Sequence, residues 1–190
     1  MVIGVTGGIG TGKSLICNIL RTMGYPVFDC DSEARRIMDN DTEIHRKLCE
    51  HIHQNSVVNN VVNRKLISDV VFNSKDKLNK LNSIVHGAVF NELRTWIGKQ
   101  EAKPAFVESA ILRSSGLIDL VDQEWIVRTE IDVRIQRVMK RSSLTHDEIM
   151  SRIISQNQEF SITSKVPSVF ISNSPNDAIL PQLHNLLNHI

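Results

Sequence analysis

The segment Gly7-Gly-Ile-Gly-Thr-Gly-Lys13-Ser14 carries the densest chemistry in this chain. It fits G-x-x-x-x-G-K-S/T, the pattern of a loop that cradles polyphosphate. Glycines let the backbone come close to an anion and aim several N–H groups at it. The helix that follows presents its positive N-terminus to the same anion. Lys13 can reach the β- and γ-phosphates of a nucleoside triphosphate, and the Ser14 hydroxyl can ligate Mg2+. The bland alternative is a glycine-rich turn before an incidental lysine. The complete motif, set between a strand-like run and an amphipathic stretch, argues against that.

Three further groups could serve an acceptor or the transferring charge. Asp29-Cys30-Asp31 ends the second strand-like run, and in an extended segment alternation places both carboxylates on one side and Cys30 opposite. An Asp at the carboxyl end of a parallel strand can orient an acceptor hydroxyl and take its proton. The competing reading makes Asp31 or Ser32 the N-cap of a helix holding Glu33 to Met38. Arg134, Arg137 and Arg141 recur at i, i+3 and i+7, so they share a helix face, with Lys140 adjacent. Such a face can close over phosphates or can simply be solvated. Glu108, near the end of the third strand, is a candidate partner for Mg2+ or Lys13, or a solubilising strand end.

The elements that must position these residues alternate between short apolar runs and longer helical patterns. Strands are expected at Val2 to Val5, Tyr25 to Phe28, Ala105 to Val107 with a possible extension to Leu112, Trp125 to Val127 and Ser168 to Ile171. Leu15, Ile16, Ile19, Leu20 and Met23 have helical spacing, and Gly24 closes that helix. This pattern predicts an α/β fold with a parallel sheet. Residues 32–99 carry few strand signals and read as a helical insertion. In it Ser74 can cap a long helix with Leu78, Leu81, Ile84, Val85 and Val89, and the Asn-rich stretch 54–63 reads as a loop. A second helical stretch covers about 132–160, with Thr145 and Glu148 spaced as a capping box. Ser174-Pro175 is expected to start the last helix.

Composition narrows the function. The 190 residues are 41% apolar and 23% charged, which suits an ordered globular chain. With 22 Lys plus Arg against 21 Asp plus Glu, and six Phe, two Trp and one Tyr, neither nucleic acid nor an anionic membrane is an expected partner. No apolar run is long enough for a membrane span, and the N-terminus lacks a signal-peptide pattern. Cys17, Cys30 and Cys49 are too few and scattered for a disulfide framework or zinc site, which fits a reducing, cytoplasmic setting. A GTPase reading wants Asn-Lys-x-Asp and Asp-x-x-Gly, and neither occurs, so a small-molecule kinase is the better expectation.

Taken together in order, the motifs resemble the dephospho-coenzyme A kinase family of P-loop nucleotide kinases nearly end to end. Gly4 to Leu15 is similar to the family's opening, with Leu15 where Thr or Ser is common. Phe28-Asp-Cys-Asp31 with Ala34-Arg35 resembles D-A-D-x-x-A-R. Asn63-Arg64-Lys65-Leu66 with Val71-Phe72 resembles N-R-x-x-L with V-F, and Leu81-Asn82 through His86 resembles L-N-x-x-x-H. Arg137 to Arg141 resembles the lid segment, Arg152 to Gln156 resembles R-I-x-x-Q, and Asn173 falls where an Asn follows the last strand.

The resemblance implies a P-loop NTPase-type five-stranded parallel sheet flanked by helices, with a helical insertion domain and a short helical lid. Residues 1–31 and 100–190 would form the kinase core, 32–99 the acceptor-binding insertion, within a single structural unit. The implied reaction moves the γ-phosphoryl of ATP to the ribose 3′-hydroxyl of dephospho-CoA, with Mg2+. Asp31 would be the acceptor-side base. Gly8, Gly10, Thr11, Gly12, Lys13, Ser14 and Leu15 would hold the ATP phosphates, and Ser14 the metal. Arg35, Arg64 and His86 would bind the acceptor, and Arg137 and Arg141 would act from the lid. Four departures stand out. Ser114 replaces the acid of P-L-L-F-E unless Glu108 serves instead, and Gly87 replaces a frequent Pro, Arg134 a frequent Gln, and Pro167-Ser168 a common Ala-Asp. The competing functions are a kinase for another small acceptor and a nucleotide-binding module without turnover.

Overall fold

A computed structural model describes residues 1–101 and 104–190. The chain divides into two compact units, Met1–Asp29 with Ile97–Ile190, and Cys30–Trp96.

The first unit is built on five parallel strands, β1 (Val2–Thr6), β2 (Val27–Asp29), β5 (Ala105–Glu108), β6 (Gln123–Arg128) and β7 (Ser168–Ser172), in the order β2-β5-β1-β6-β7. The chain leaves central β1 toward one edge and returns to build the other, so strand order reverses beside β1. That reversal opens a crevice at the carboxyl ends of the strands, where α/β sheets bind ligands. The Gly7–Ser14 loop follows β1 directly. Alternation sends Ile3 and Val5 to one face, where α1 (Lys13–Thr22) and α8 (Ile179–Leu187) cover them. Ile16, Cys17, Leu20, Phe106, Trp125, Val127, Ile171 and Leu183 complete that core. Phe106 is the hub, edge-on to Tyr25 at 5.5 Å and tilted against Trp125 at 5.2 Å. The opposite face of β1 must be thin: a β-carbon on Gly4 would lie 2.4 Å from Leu112.

Helices α6 (Ile131–Arg141) and α7 (His146–Ser161) form a second apolar cluster of Ile135, Val138, Ile149 and Ile153, onto which Ile9 of the loop packs. The Thr145–Glu148 capping box is present at the start of α7.

The second unit consists of α2 (Cys30–Asn40), α3 (Thr42–His51), the hairpin β3 (Val57–Val58) and β4 (Val61–Val62), α4 (Arg64–Phe72) and most of α5 (Lys75–Ile97). Asp41 caps α3 through the Glu43 and Ile44 N–H groups, and Asn63 caps α4. The expected Ser74 cap is made, with Lys77 N–H donating to Ser74 Oγ at 3.3 Å.

Four expectations need correction. The Asn-rich loop contains a two-residue hairpin, with Asn59 and Asn60 at φ 51° and 61°. Asn tolerates that left-handed backbone, and the paired turn matches strand twist. Secondly, Asp29-Cys30-Asp31 is not one extended segment. The helix starts at Cys30, so only Asp29 is in the strand, and Asp31 and Ser32 lie inside the first turn of α2, past a cap position. Thirdly, β5 stops at Glu108, and the chain turns at Ser109, whose hydroxyl accepts the Ile111 N–H. Lastly, the final helix starts at Ile179 rather than after Ser174. Asp177 Oδ2 accepts from Ser172 Oγ and Ser174 N–H and holds a turn there. The proline of the helix is Pro181, within the first turn, where a missing N–H costs nothing.

Candidate functional site

The loop after β1 is locked by its own glycines and by neighbours distant in sequence. Gly10 and Gly12 sit at φ 80° and 98°, where a side chain is strained. A β-carbon at Gly12 would also lie 2.0 Å from Asn173 Nδ2. Asn173 uses that amide to donate to the Thr11 carbonyl at 2.7 Å, and Thr129 Oγ1 donates to the same carbonyl at 3.1 Å. Thr11 Oγ1 donates back to the Gly8 carbonyl at 2.9 Å. Gly12 then opens α1, whose early N–H groups belong to Lys13, Ser14 and Leu15. The Leu15 side chain is half exposed and lies outside the core. Lys13 Nζ donates to the Gly7 carbonyl at 2.7 Å.

Ser14 Oγ donates to Glu108 Oε1 at 2.6 Å. Glu108 is buried at the carboxyl end of β5, next to β1. Burial and the adjacent Glu108 carboxylate push the Cys17 thiol well above the ordinary range, so this cysteine stays protonated. A hydroxyl and a carboxylate side by side are hard oxygen donors, the set that suits Mg2+.

The three arginines of α6 have different surroundings. Arg134 is buried; its Nε donates to the Ile9 carbonyl at 2.9 Å, and burial lowers its pKa. Arg137 Nη1 is buried without a hydrogen-bond partner among the described residues, 4.0 Å from where a β-carbon on Gly12 would stand. Arg141 is exposed at the end of the helix, beside Lys140. One face therefore carries a buried brace, an orphaned donor at the loop and a solvated charge.

The Arg113-Ser114 segment is held from α7. The buried Glu159 carboxylate of α7 accepts the Arg113 N–H at 2.5 Å and the Ser114 N–H at 3.1 Å. Arg113 forms a buried ion pair with Glu124; burial disfavours the Glu124 carboxylate, but hydrogen bonds from Arg113 and Ser168 outweigh that and hold its pKa below the usual range. Thr129 and Glu159 carried no sequence signal of their own. Gln156 was marked only by the R-I-x-x-Q match; in the structure it binds Ile9.

In the second unit Asp31 lies in the first turn of α2, Arg35 is exposed one turn on, and His86 is half-buried on α5, where burial lowers its pKa. Arg64 Nη2 pairs with Asp39 at 2.8 Å on the surface. No described hydrogen bond joins Arg35, Arg64 and His86. A groove of about 530 Å3 between α3 and α5 is lined by Lys47, Lys80, Ser83, Gly87 and Asn91, and none of the three predicted acceptor residues lines it.

The sequence profile described as dephospho-CoA kinase matches residues 1–177. A protein named dephospho-CoA kinase from Bacteroides fragilis (strain YCH46) is 31% identical over 186 residues, covering 97% of this chain and 90% of the relative. One of the same name from Porphyromonas gingivalis is 32% identical over 187 residues, covering 98% and 93%. A crystal structure from Thermus thermophilus superposes with a TM-score of 0.77 at 27% identity, over 100% of this chain and 95% of the other. Shikimate kinase from Bacteroides thetaiotaomicron, at 12% identity and a TM-score of 0.58 over 99% and 98%, shares the fold alone.

Proposed function

The chain belongs to the dephospho-CoA kinase family, the kinases of the last step of coenzyme A synthesis, and from that premise we propose how its residues divide the reaction. Gly8, Gly10, Thr11, Gly12, Lys13, Ser14 and Leu15 bind the ATP phosphates, largely through backbone N–H groups and helped by the N-terminal dipole of α1. Lys13 and Arg137 neutralise charge that accumulates on the transferring γ-phosphoryl. Arg141, exposed at the end of α6, adds charge from the lid. The observation that carries this reading is the orphaned Arg137 Nη1 beside Gly12. A buried guanidinium nitrogen without an acceptor is costly, and a phosphate oxygen is the acceptor best suited to it.

Ser14, steadied by Glu108, is the residue that would hold Mg2+. The ion, bound with ATP, would supply neutralisation of phosphate charge. On the acceptor side, Asp31 orients the ribose 3′-hydroxyl and takes its proton as the oxygen bonds to the γ-phosphorus. The bond from that phosphorus to the β-γ bridging oxygen breaks, and ADP leaves. Arg35, Arg64 and His86 are assigned to binding dephospho-CoA from the Cys30–Trp96 unit. His86 would do so as a neutral imidazole, since burial disfavours its cation.

The test is CoA formation from ATP, Mg2+ and dephospho-CoA, with AMP, adenosine and gluconate run alongside. CoA from dephospho-CoA alone supports the assignment. Turnover of another acceptor, or ATP binding with no product, overturns it.

A further inference from the structure

Ile9, at the crest of the phosphate loop, has both backbone polar groups taken by side chains of the α6–α7 pair. Its N–H donates to Gln156 Oε1 of α7 at 2.6 Å, across 147 residues of chain. Its carbonyl accepts from Arg134 Nε of α6 at 2.9 Å, across 125 residues. Its side chain packs on the cluster of Ile135, Val138, Ile149 and Ile153 that joins the same two helices. The loop therefore meets the helix pair at one residue through two hydrogen bonds and an apolar contact. Arg134 also fills the space beside Gly8, where a β-carbon would stand 2.2 Å from its Nη2, and its backbone backs Gly10.

We propose that Gln156 and Arg134 are positioning residues for ATP, acting through Ile9 to set the peptide orientations of the Gly8–Gly10 stretch. The proposal rests on the reading of this loop as the ATP phosphate site. The physical reason is directional. A phosphate cradle works only if its N–H groups converge, and glycines give the loop many other ways to point them. Fixing the Ile9 N–H toward Gln156 and its carbonyl toward Arg134 removes rotation of the peptides on either side. Preorganised donors then need no rearrangement when charge develops. The chemistry also lets a glutamine stand in for Arg134. A glutamine Nε2 stands the same number of bonds from the backbone as an arginine Nε, so either residue can donate to the Ile9 carbonyl.

The test compares Gln156→Leu, Arg134→Leu and Arg134→Gln by steady-state kinetics in both substrates. Removing a brace should raise the KM for ATP roughly tenfold while the KM for dephospho-CoA stays within about twofold, the size expected for an unmet buried hydrogen bond. Arg134→Gln should restore ATP KM to near the wild-type value. A merely structural role lowers the active fraction, so kcat falls and neither KM moves; that result overturns the proposal. Equal kinetics for Arg134→Leu and Arg134→Gln would overturn the part assigned to Arg134. Gln156→Leu keeps the test open where Arg134→Leu fails to fold. Lys13→Ala runs as the control. If it leaves ATP KM and turnover unchanged, the phosphate-site reading fails. If it abolishes turnover while Gln156→Leu leaves ATP KM unchanged, the brace alone fails.

Discussion

The Ser14 hydroxyl donates a 2.6 Å hydrogen bond to the Glu108 carboxylate, joining the phosphate loop to the end of β5 across 94 residues of chain. This contact leaves the hydroxyl oxygen's lone pairs free to face a cation while the proton is held by the carboxylate. Glu108→Gln keeps the volume and an acceptor but removes the charge. The Mg2+ concentration giving half-maximal rate should rise several-fold, and kcat should fall by about tenfold, the scale for losing one supporting partner of a metal ligand. Rate measured against Mg2+ at saturating substrates decides it; an unchanged Mg2+ profile would confine Glu108 to packing.

Lys13→Ala and Arg137→Ala remove the two cations assigned to the transferring phosphoryl. Each should lower kcat by about 10²–10³-fold, as for other preorganised donors to transition-state charge. Circular dichroism should be unchanged, because neither side chain belongs to the apolar core. Near-wild-type turnover in both would remove the loop from the reaction.

Asp31→Asn separates chemistry from nucleotide binding. The kcat should drop by about 10²-fold or more, in the range for loss of a general base. ATP affinity, read by calorimetry with a non-hydrolysable analogue, should hold. A fall in ATP affinity with kcat retained would make Asp31 a support of the α2 start.

Glu124→Ala leaves the Arg113 guanidinium buried beside β6 without its counter-ion. Urea unfolding should show a loss of about 3–5 kcal/mol, while Arg113→Met with Glu124→Leu should lose far less, because the uncompensated charge is gone. Equal losses in the two would mean that the pair itself is the stabilising element.

Burial lowers the His86 pKa in the folded chain, so the unfolded chain takes up a proton first as pH falls. The sign follows: this residue costs no stability above about pH 6.5 and progressively more below it, until the folded form protonates as well. His86→Gln should therefore flatten the fall in the urea midpoint between about pH 7.5 and 5.5. A parallel fall in wild type and variant would show that His86 titrates alike in both states.

Legibility in the sequence tracked distance along the chain. The phosphate loop was readable because its requirements are local: positive φ at Gly10 and Gly12, and Lys13 and Ser14 at a fixed offset in the next helix. The five strands were placed by apolar runs that parallel strands need on both faces. The Thr145–Glu148 box and the Ser74 cap were equally local. Misreadings arose where two local rules competed. Asp29-Cys30-Asp31 obeys strand alternation only if the strand continues, and the helix begins one residue too soon for that. Ser174-Pro175 looks like a helix start, but Asp177 captures the Ser172 and Ser174 donors and delays the helix to Ile179.

What the residues alone determined, then, is the class of chemistry and the order of elements, because glycine geometry, cap spacing and apolar period act within a few residues. What only the tertiary structure decided is which distant side chains complete the loop: Glu108 on Ser14, Asn173 and Thr129 on Thr11, Gln156 and Arg134 on Ile9. Hydrogen bonds are directional and short, so a partner more than 90 residues away is fixed by how the strands and helices pack and by no pattern in the intervening chain.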